Sequence, residues 1–144
     1  MKSRLLLDTG PLVGYLNKRD QHHGWAVSQW ESLAPPFITC EAVLSEACFL
    51  LDAHGGTSDW VMDLLERGIV TVDFSLADHA VRVRALLRKY RSVPMSLADA
   101  CLVRMSEINP GHEVLTTDSD FRRYRRDGRC IIPAIMPDEV SQRS

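Results

Sequence analysis

The 144-residue chain lacks most of the signatures by which metal and nucleotide chemistries are read from sequence. Its four cysteines (Cys40, Cys48, Cys101, Cys130) form no Cys-x-x-Cys pair and no zinc-finger spacing. That argues against a thiolate zinc site and leaves reduced thiols packed in a core as the expectation. The five histidines (His22, His23, His54, His79, His112) show no His-x-x-x-His ligand spacing, so they read as surface residues rather than as a histidine-based metallohydrolase centre. Neither Gly-x-x-x-x-Gly-Lys nor Gly-x-Gly-x-x-Gly is present, which removes the common phosphate-cradling loops. Only Leu5-Leu6-Leu7 separates Met1-Lys2-Ser3-Arg4 from Asp8, too little apolar chain for a signal peptide or a membrane span. The expected compartment is therefore the cytoplasm. Charge of one sign is also missing. With 17 Lys and Arg against 19 Asp and Glu the net charge is −2, which excludes a globally basic nucleic-acid binder. No repeat, low-complexity tract or Gly/Ser linker divides the chain, and 45% of its residues are hydrophobic. A single domain over residues 1–144 with one sizeable core is the expectation.

What is present alternates between two periodicities. Leu5–Leu7 suits a buried strand ended by Asp8-Thr9-Gly10-Pro11, and Pro11 fits the first turn of a helix carrying Leu12, Val13 and Leu16. A second helix is expected over about residues 24–33, broken by Pro35-Pro36, with Phe37-Ile38-Thr39 following as a strand. Residues 41–53 and 58–67 read as helices separated by Gly55-Gly56, and Ile69–Val72 as a strand. Ser75 is expected to open a long helix with Val83, Leu86, Leu87 and Tyr90 on its apolar face. Another helix runs from Ser96 to about Asn109-Pro110-Gly111, and strands are expected at Glu113–Thr116 and Ile131–Ile135. Strands alternating with helices imply an α/β fold with a mostly parallel sheet, in which ligands bind beyond the carboxyl ends of the strands. Asp8 and Asp118 each follow a predicted strand at that edge.

Acids stand where a core is expected. On the 41–53 helix, Val43, Ala47 and Leu50 lie at offsets −3, +1 and +4 from Glu46, which places this carboxylate in the apolar stripe. A charge buried there demands a partner or a cation, unless Glu46 pairs with an Arg or sits at the stripe's edge and reaches water. Asp99 has Leu102 and Val103 at +3 and +4, yet Ser96-Leu97-Ala98-Asp99 is also a capping-box pattern with the acid at its third helical position. Ser75-Leu76-Ala77-Asp78 repeats the same four letters and serves as an internal control. Position favours Asp99 as the functional copy, because its helix leads into the strand that delivers Asp118. Thr116-Thr117-Asp118-Ser119-Asp120-Phe121 puts two carboxylates after a strand, a pattern that a hydrophilic turn would share.

Carboxylate oxygens without a His or Cys cluster suit hard cations, Mg²⁺ or Mn²⁺. Two basic segments accompany them. Arg82, Arg84, Arg88, Lys89 and Arg91 flank the apolar face of the helix after Ser75, where a solvated face explains them equally well. Arg122, Arg123, Arg125, Arg126 and Arg129 follow the Asp118–Asp120 pair and suggest contacts to phosphates.

Leu-Leu-Leu-Asp8-Thr-Gly-Pro-Leu, Thr-Cys-Glu-Ala-Val-Leu-Ser-Glu46-Ala, Ser-Leu-Ala-Asp99-Ala and Thr-Thr-Asp118-Ser-Asp-Phe together, in this order, resemble the PIN-domain ribonucleases, and most of all the VapC toxins of prokaryotic toxin–antitoxin systems. The resemblance spans Asp8 to the last strand near Ile135. It implies a PIN-like three-layer α/β/α sandwich and a Mg²⁺- or Mn²⁺-dependent endoribonuclease. Asp8, Glu46 and Asp99 match the family's first three metal-holding acids. Asp118 is assigned as the fourth, with Asp120 as a water-mediated or second-metal ligand; all five stand as catalytic candidates. Thr9, Thr116, Arg122 and Arg123 are the candidate substrate contacts, Thr116 also orienting the acids through its hydroxyl. Glu41 lies five residues before Glu46, roughly 140° round the helix, and is not counted as a ligand.

The chemistry so implied is metal-assisted phosphodiester hydrolysis on an RNA substrate. A VapB-like antitoxin inserting a segment into the cleft, and a homodimer, are the implied partners. A PIN fold that binds RNA or protein without cleaving is the competing reading, and the filling of all four acid positions weighs against it. An aspartyl-phosphate phosphatase would need a second Asp where Gly10 stands. A receiver domain would need an acidic pair ahead of its phosphorylated Asp, which the Leu-rich first strand lacks. Setting the four acids aside leaves the rest of the chain at +2 from a net −2, so mild acidity is compatible with a locally basic RNA cleft.

Overall fold

The computed structural model describes residues 4–138; Met1–Ser3, part of the short N-terminal stretch considered above, lie outside them. Five short parallel strands form the central sheet: β1 (Leu5–Leu7), β2 (Phe37–Thr39), β3 (Val70–Val72), β4 (Glu113–Leu115) and β7 (Ala134–Ile135). Their spatial order is β3-β2-β1-β4-β7. β1 occupies the middle because its three leucines are apolar on both sides of the pleat and almost fully buried, as a strand covered on both faces requires. Its registers are Leu6↔Ile38 on one side and Leu6↔Val114 on the other.

Helices connect the strands and flank the sheet: α1 (Thr9–Leu16), α2 (His23–Ser32), α3 (Glu41–Ala53), α4 (Asp59–Glu66), α5 (Ala80–Lys89) and α6 (Leu97–Ile108). The chain steps outward from β1 to β2 to β3, then returns to place β4 on the other side of β1. Strand order thus reverses between β1 and β4, and in such sheets a crevice opens beyond the carboxyl ends of the two strands. α6 leads through a short turn into β4. Its first turn therefore lies at that same carboxyl edge, facing the start of α1.

Two expectations need correction. Ser75 does not open a long helix: a 3₁₀ turn over Ala77–His79 intervenes and α5 starts only at Ala80. The buried Phe74 stacks on His79 at 4.9 Å, so packing at that point interrupts the helical path. The strand expected over Ile131–Ile135 is two strands in two sheets. Pro133 separates β6 (Cys130–Ile131), which pairs antiparallel with β5 (Arg125–Arg126), from β7, which joins β4. Pro has no N–H for a continuous ladder, and its carbonyl accepts from the Val114 N–H at the start of the β4–β7 pairing.

The cysteines are all free, but only Cys40 and Cys101 are buried; Cys130 is exposed. Among the histidines only His54 is exposed, and the other four are half-buried. His23 Nδ1 shares a hydrogen bond with the Gly14 carbonyl, and His79 Nδ1 accepts from Arg104. No helix among the described residues is long and apolar enough to cross a membrane.

Candidate active site

Asp8 caps α1. It is 5% exposed, with Oδ1 accepting the Thr9 N–H at 2.8 Å and Oδ2 accepting the Thr116 hydroxyl at 2.6 Å. The Asp8 N–H is tied to the Leu115 carbonyl, so the end of β1 and the end of β4 are fixed to each other at this point. Thr116 is wholly buried, and its hydroxyl also accepts the Asp118 N–H at 2.9 Å. One hydroxyl therefore sets the position of two acids. Thr116 stands behind the acids, with its hydroxyl committed to them, and not at a surface open to substrate.

Asp99 occupies the first turn of α6 and does two jobs. A complete capping box is present: Ser96 Oγ accepts the Asp99 N–H, and Asp99 Oδ2 accepts the Ser96 N–H. The same Oδ2 also accepts the hydroxyl of the fully buried Tyr124 at 2.9 Å. The control copy behaves otherwise, for Asp78 is exposed and the turn it occupies has no side-chain cap. Asp118 is half-buried, and its Oδ1 accepts the Asp120 N–H at 2.9 Å, which opens the 3₁₀ turn Ser119–Arg122.

Glu46 does not lie in the apolar stripe of α3. Val43, Leu44, Ala47 and Leu51 form the buried face, and Glu46 is exposed at its margin. Its charge nevertheless adds to the rise of the Asp99 carboxyl. Asp120 is half-buried and faces Arg123 in a loose 4.0 Å pair whose Arg side is mostly exposed.

The electrostatics of the group are those of acids without a counter-charge. Among the described residues none of Asp8, Asp99 and Asp118 forms an ion pair with Lys or Arg. Burial pushes the Asp8 carboxyl up to about 7, the Thr116 bond opposes this, and the charges of Asp99 and Asp118 add to the rise. Asp99 is raised by burial, against its bonds to Tyr124 and Ser96, and further by Glu46. Asp118 is raised by burial and by its neighbours Asp99 and Asp120. Charge therefore links Asp8, Asp99 and Asp118 at the carboxyl edge of β1 and β4, with Glu46 acting on Asp99 and Asp120 on Asp118.

An all-oxygen donor set with unbalanced negative charge fits a hard divalent cation. No group of three or more His, Cys, Asp or Glu among the described residues is set tightly enough to hold an ion by itself. The Thr9 hydroxyl is buried beside Asp8 and has no hydrogen-bond partner.

The arginines after Asp120 divide into two kinds. Arg125 donates to the Arg122 and Tyr124 carbonyls, and Arg126 to the Ser106 and Pro110 carbonyls, so both brace the β5–β6 hairpin against α6 and the chain around it. Arg122 lines a groove of about 610 Å³ with Phe121 and residues 131–136, while Arg123 stays beside Asp120. Tyr124 was not among the residues singled out from the sequence. The available signal was an aromatic at +3 from Phe121 inside a run of arginines, where a solvated segment has no use for one.

Helices around a parallel sheet whose order reverses between β1 and β4, with acids gathered at that reversal, define a PIN-type α/β domain. Residues 5–127 match the PIN domain family, and the chain belongs to it. Among solved structures it is similar to the VapC20 toxin of Mycobacterium tuberculosis, described as cleaving the sarcin–ricin loop. The TM-score is 0.73 at 22% identity, over 81% of this chain and 91% of that one, a likeness of fold. No curated protein matches the sequence.

Proposed function

We propose that the protein is a Mg²⁺- or Mn²⁺-dependent endoribonuclease of the VapC toxin type, neutralised by a VapB-like antitoxin. The observation that carries this reading is the cluster of buried, uncompensated carboxylates at the switch point of a PIN fold. Without a cation, ionised Asp8 and Asp99 would oppose folding, so their retention points to a function. The solved neighbour named for RNA cleavage supports the choice of RNA as substrate.

In this reading Asp8, Glu46, Asp99 and Asp118 hold the ion, with Asp120 acting through water. A divalent ion bound by carboxylates lowers the pKa of its water and offsets charge on phosphoryl oxygens. Asp8 is pre-set by Thr116 and the Thr9 N–H, and Asp99 by Ser96 and Tyr124, so neither has to reorient when substrate arrives. The Thr9 hydroxyl contacts the substrate side of the cleft. Arg122 and Arg123 meet phosphates flanking the scissile bond, or the carboxylates of an inserted antitoxin segment. A homodimer is the assembly that this reading implies.

The test is RNA cleavage by purified protein with and without Mg²⁺, using Asp99→Asn against Asp78→Asn. Asp99→Asn should remove activity while the fold persists, since the Asn amide oxygen can still accept the Ser96 N–H of the capping box. Asp78→Asn should leave activity intact and change stability by less than about 0.5 kcal/mol, as an exposed substitution without a cap bond. Full activity in folded Asp99→Asn protein would refute the site. Sequencing of RNA ends after brief expression would then identify the target.

A further inference from the structure

Tyr124 sits in a run of four arginines, yet it has no exposed surface. Its ring meets Tyr90 at 72° and Phe121 at 83°, both at 5.2 Å between centroids, so two edge-to-face contacts fix its plane. Its hydroxyl reaches across from the post-β4 segment to Asp99 on α6. Neighbouring Tyr90 is an internal comparison: it is buried in the same aromatic group, but its hydroxyl accepts the Arg125 N–H and touches no acid.

The distribution of donors on Asp99 has a chemical consequence. The Ser96 N–H and the Tyr124 O–H both go to Oδ2, while Oδ1 accepts no hydrogen bond among the described residues. A carboxylate with one oxygen doubly occupied and the other unengaged is prepared to bind through a single oxygen. Rotation about its Cβ–Cγ bond would break two hydrogen bonds, one of them in a dry aromatic cage.

We propose that Tyr124 is a positioning residue for Asp99: its hydroxyl holds Oδ2 so that Oδ1 alone faces the cleft as a one-oxygen ligand for a divalent cation. The inference rests on the reading of the acids as a metal site and goes beyond it by assigning a supporting residue outside the acid set. Groups that orient a metal ligand from behind commonly change metal affinity 10- to 100-fold when removed.

The experiment is Mn²⁺ binding to the full chain, measured by electron paramagnetic resonance or calorimetry in the absence of RNA, for wild type, Tyr124→Phe and Tyr90→Phe. Tyr124→Phe is expected to bind Mn²⁺ about tenfold more weakly and to lower kcat with little change in KM. Tyr90→Phe should match wild type on both measures, although it too loses a buried hydroxyl bond. Wild-type affinity in Tyr124→Phe overturns the proposal, and so does equal weakening in Tyr90→Phe, which would assign the effect to packing. Absence of Mn²⁺ binding by wild type overturns the metal reading along with it. Should Tyr124→Phe fail to fold, the ultraviolet difference spectrum of the tyrosines on adding Mg²⁺ decides. A perturbation kept in Tyr90→Phe supports the proposal, and no perturbation in wild type defeats it.

Discussion

At the scale of single residues, Asp8 carries the clearest consequence. Its carboxyl has an ordinary value of 3.8 and is held near 7 in the folded chain. Below 3.8 both folded and unfolded forms keep the proton; between there and about 7 only the folded form does. The contribution of Asp8 to stability is therefore full at low pH and is lost as pH rises through that window. Without metal, Asp8→Asn should be more stable than wild type at pH 8 by about 1–3 kcal/mol, with the difference vanishing near pH 4, as read from urea midpoints. Added Mg²⁺ should stabilise wild type at pH 8 and not the variant. Thr116→Val makes a complementary case. It keeps shape but cuts the bonds to both Asp8 and the Asp118 N–H. Cleavage should fall about 10- to 100-fold, with a stability loss of about 1–2 kcal/mol measured in the same unfolding experiment.

At the scale of elements, the end of α6 shows how acids hold structure as well as chemistry. The Glu107 side chain is almost completely buried, accepts two hydrogen bonds from Arg82 on α5 and one from Arg104, and takes the Asp127 N–H from the β5–β6 turn. Arg82, read from the sequence as part of a solvated or phosphate-binding face, is thus a tie between helices. Glu107→Ala should cost about 2–4 kcal/mol in chemical denaturation, since it strands two cationic side chains and a backbone donor. Most elements were legible because their signals are local: Leu5–Leu7 has no polar residue to break it, residues 41–53 carry a clean helical stripe, and Ser96 precedes its capping acid by three positions. What escaped was set by distant contacts. The α5 start depends on Phe74 meeting His79, and β6 parts from β7 because Arg125 and Arg126 supply a partner that no periodicity announces. Within the site, Asp8 and Asp118 followed from their strands. The exposure of Glu46 depended on a helix rotation finer than residue spacing resolves, and the Tyr124–Asp99 bond joins segments 25 residues apart.

At the scale of the whole molecule, two of the five arginines that follow the acids serve the fold. Arg125 and Arg126 are engaged with backbone carbonyls, and Arg122 and Arg123 are the phosphate contacts of the proposed reading. RNA binding should then respond weakly to salt. A log–log slope of about −1 to −2 is expected for two contacts to a single strand, far shallower than that of extended binders. Fluorescence anisotropy with a catalytically silent Asp99→Asn chain would measure it, and a slope steeper than about −4 would mean a wider footprint.

The bond from Thr116 to Asp8 spans 108 positions, and β1, first to be synthesised, waits for β4 to complete its second ladder. Pairings this remote close late in folding. A chain still emerging from the ribosome carries Asp8 and Glu46 long before Thr116 and Asp118 exist to join them. In the proposed reading, a chain cut short before β4 would hold Asp8 without Thr116, and its acids would not be brought together.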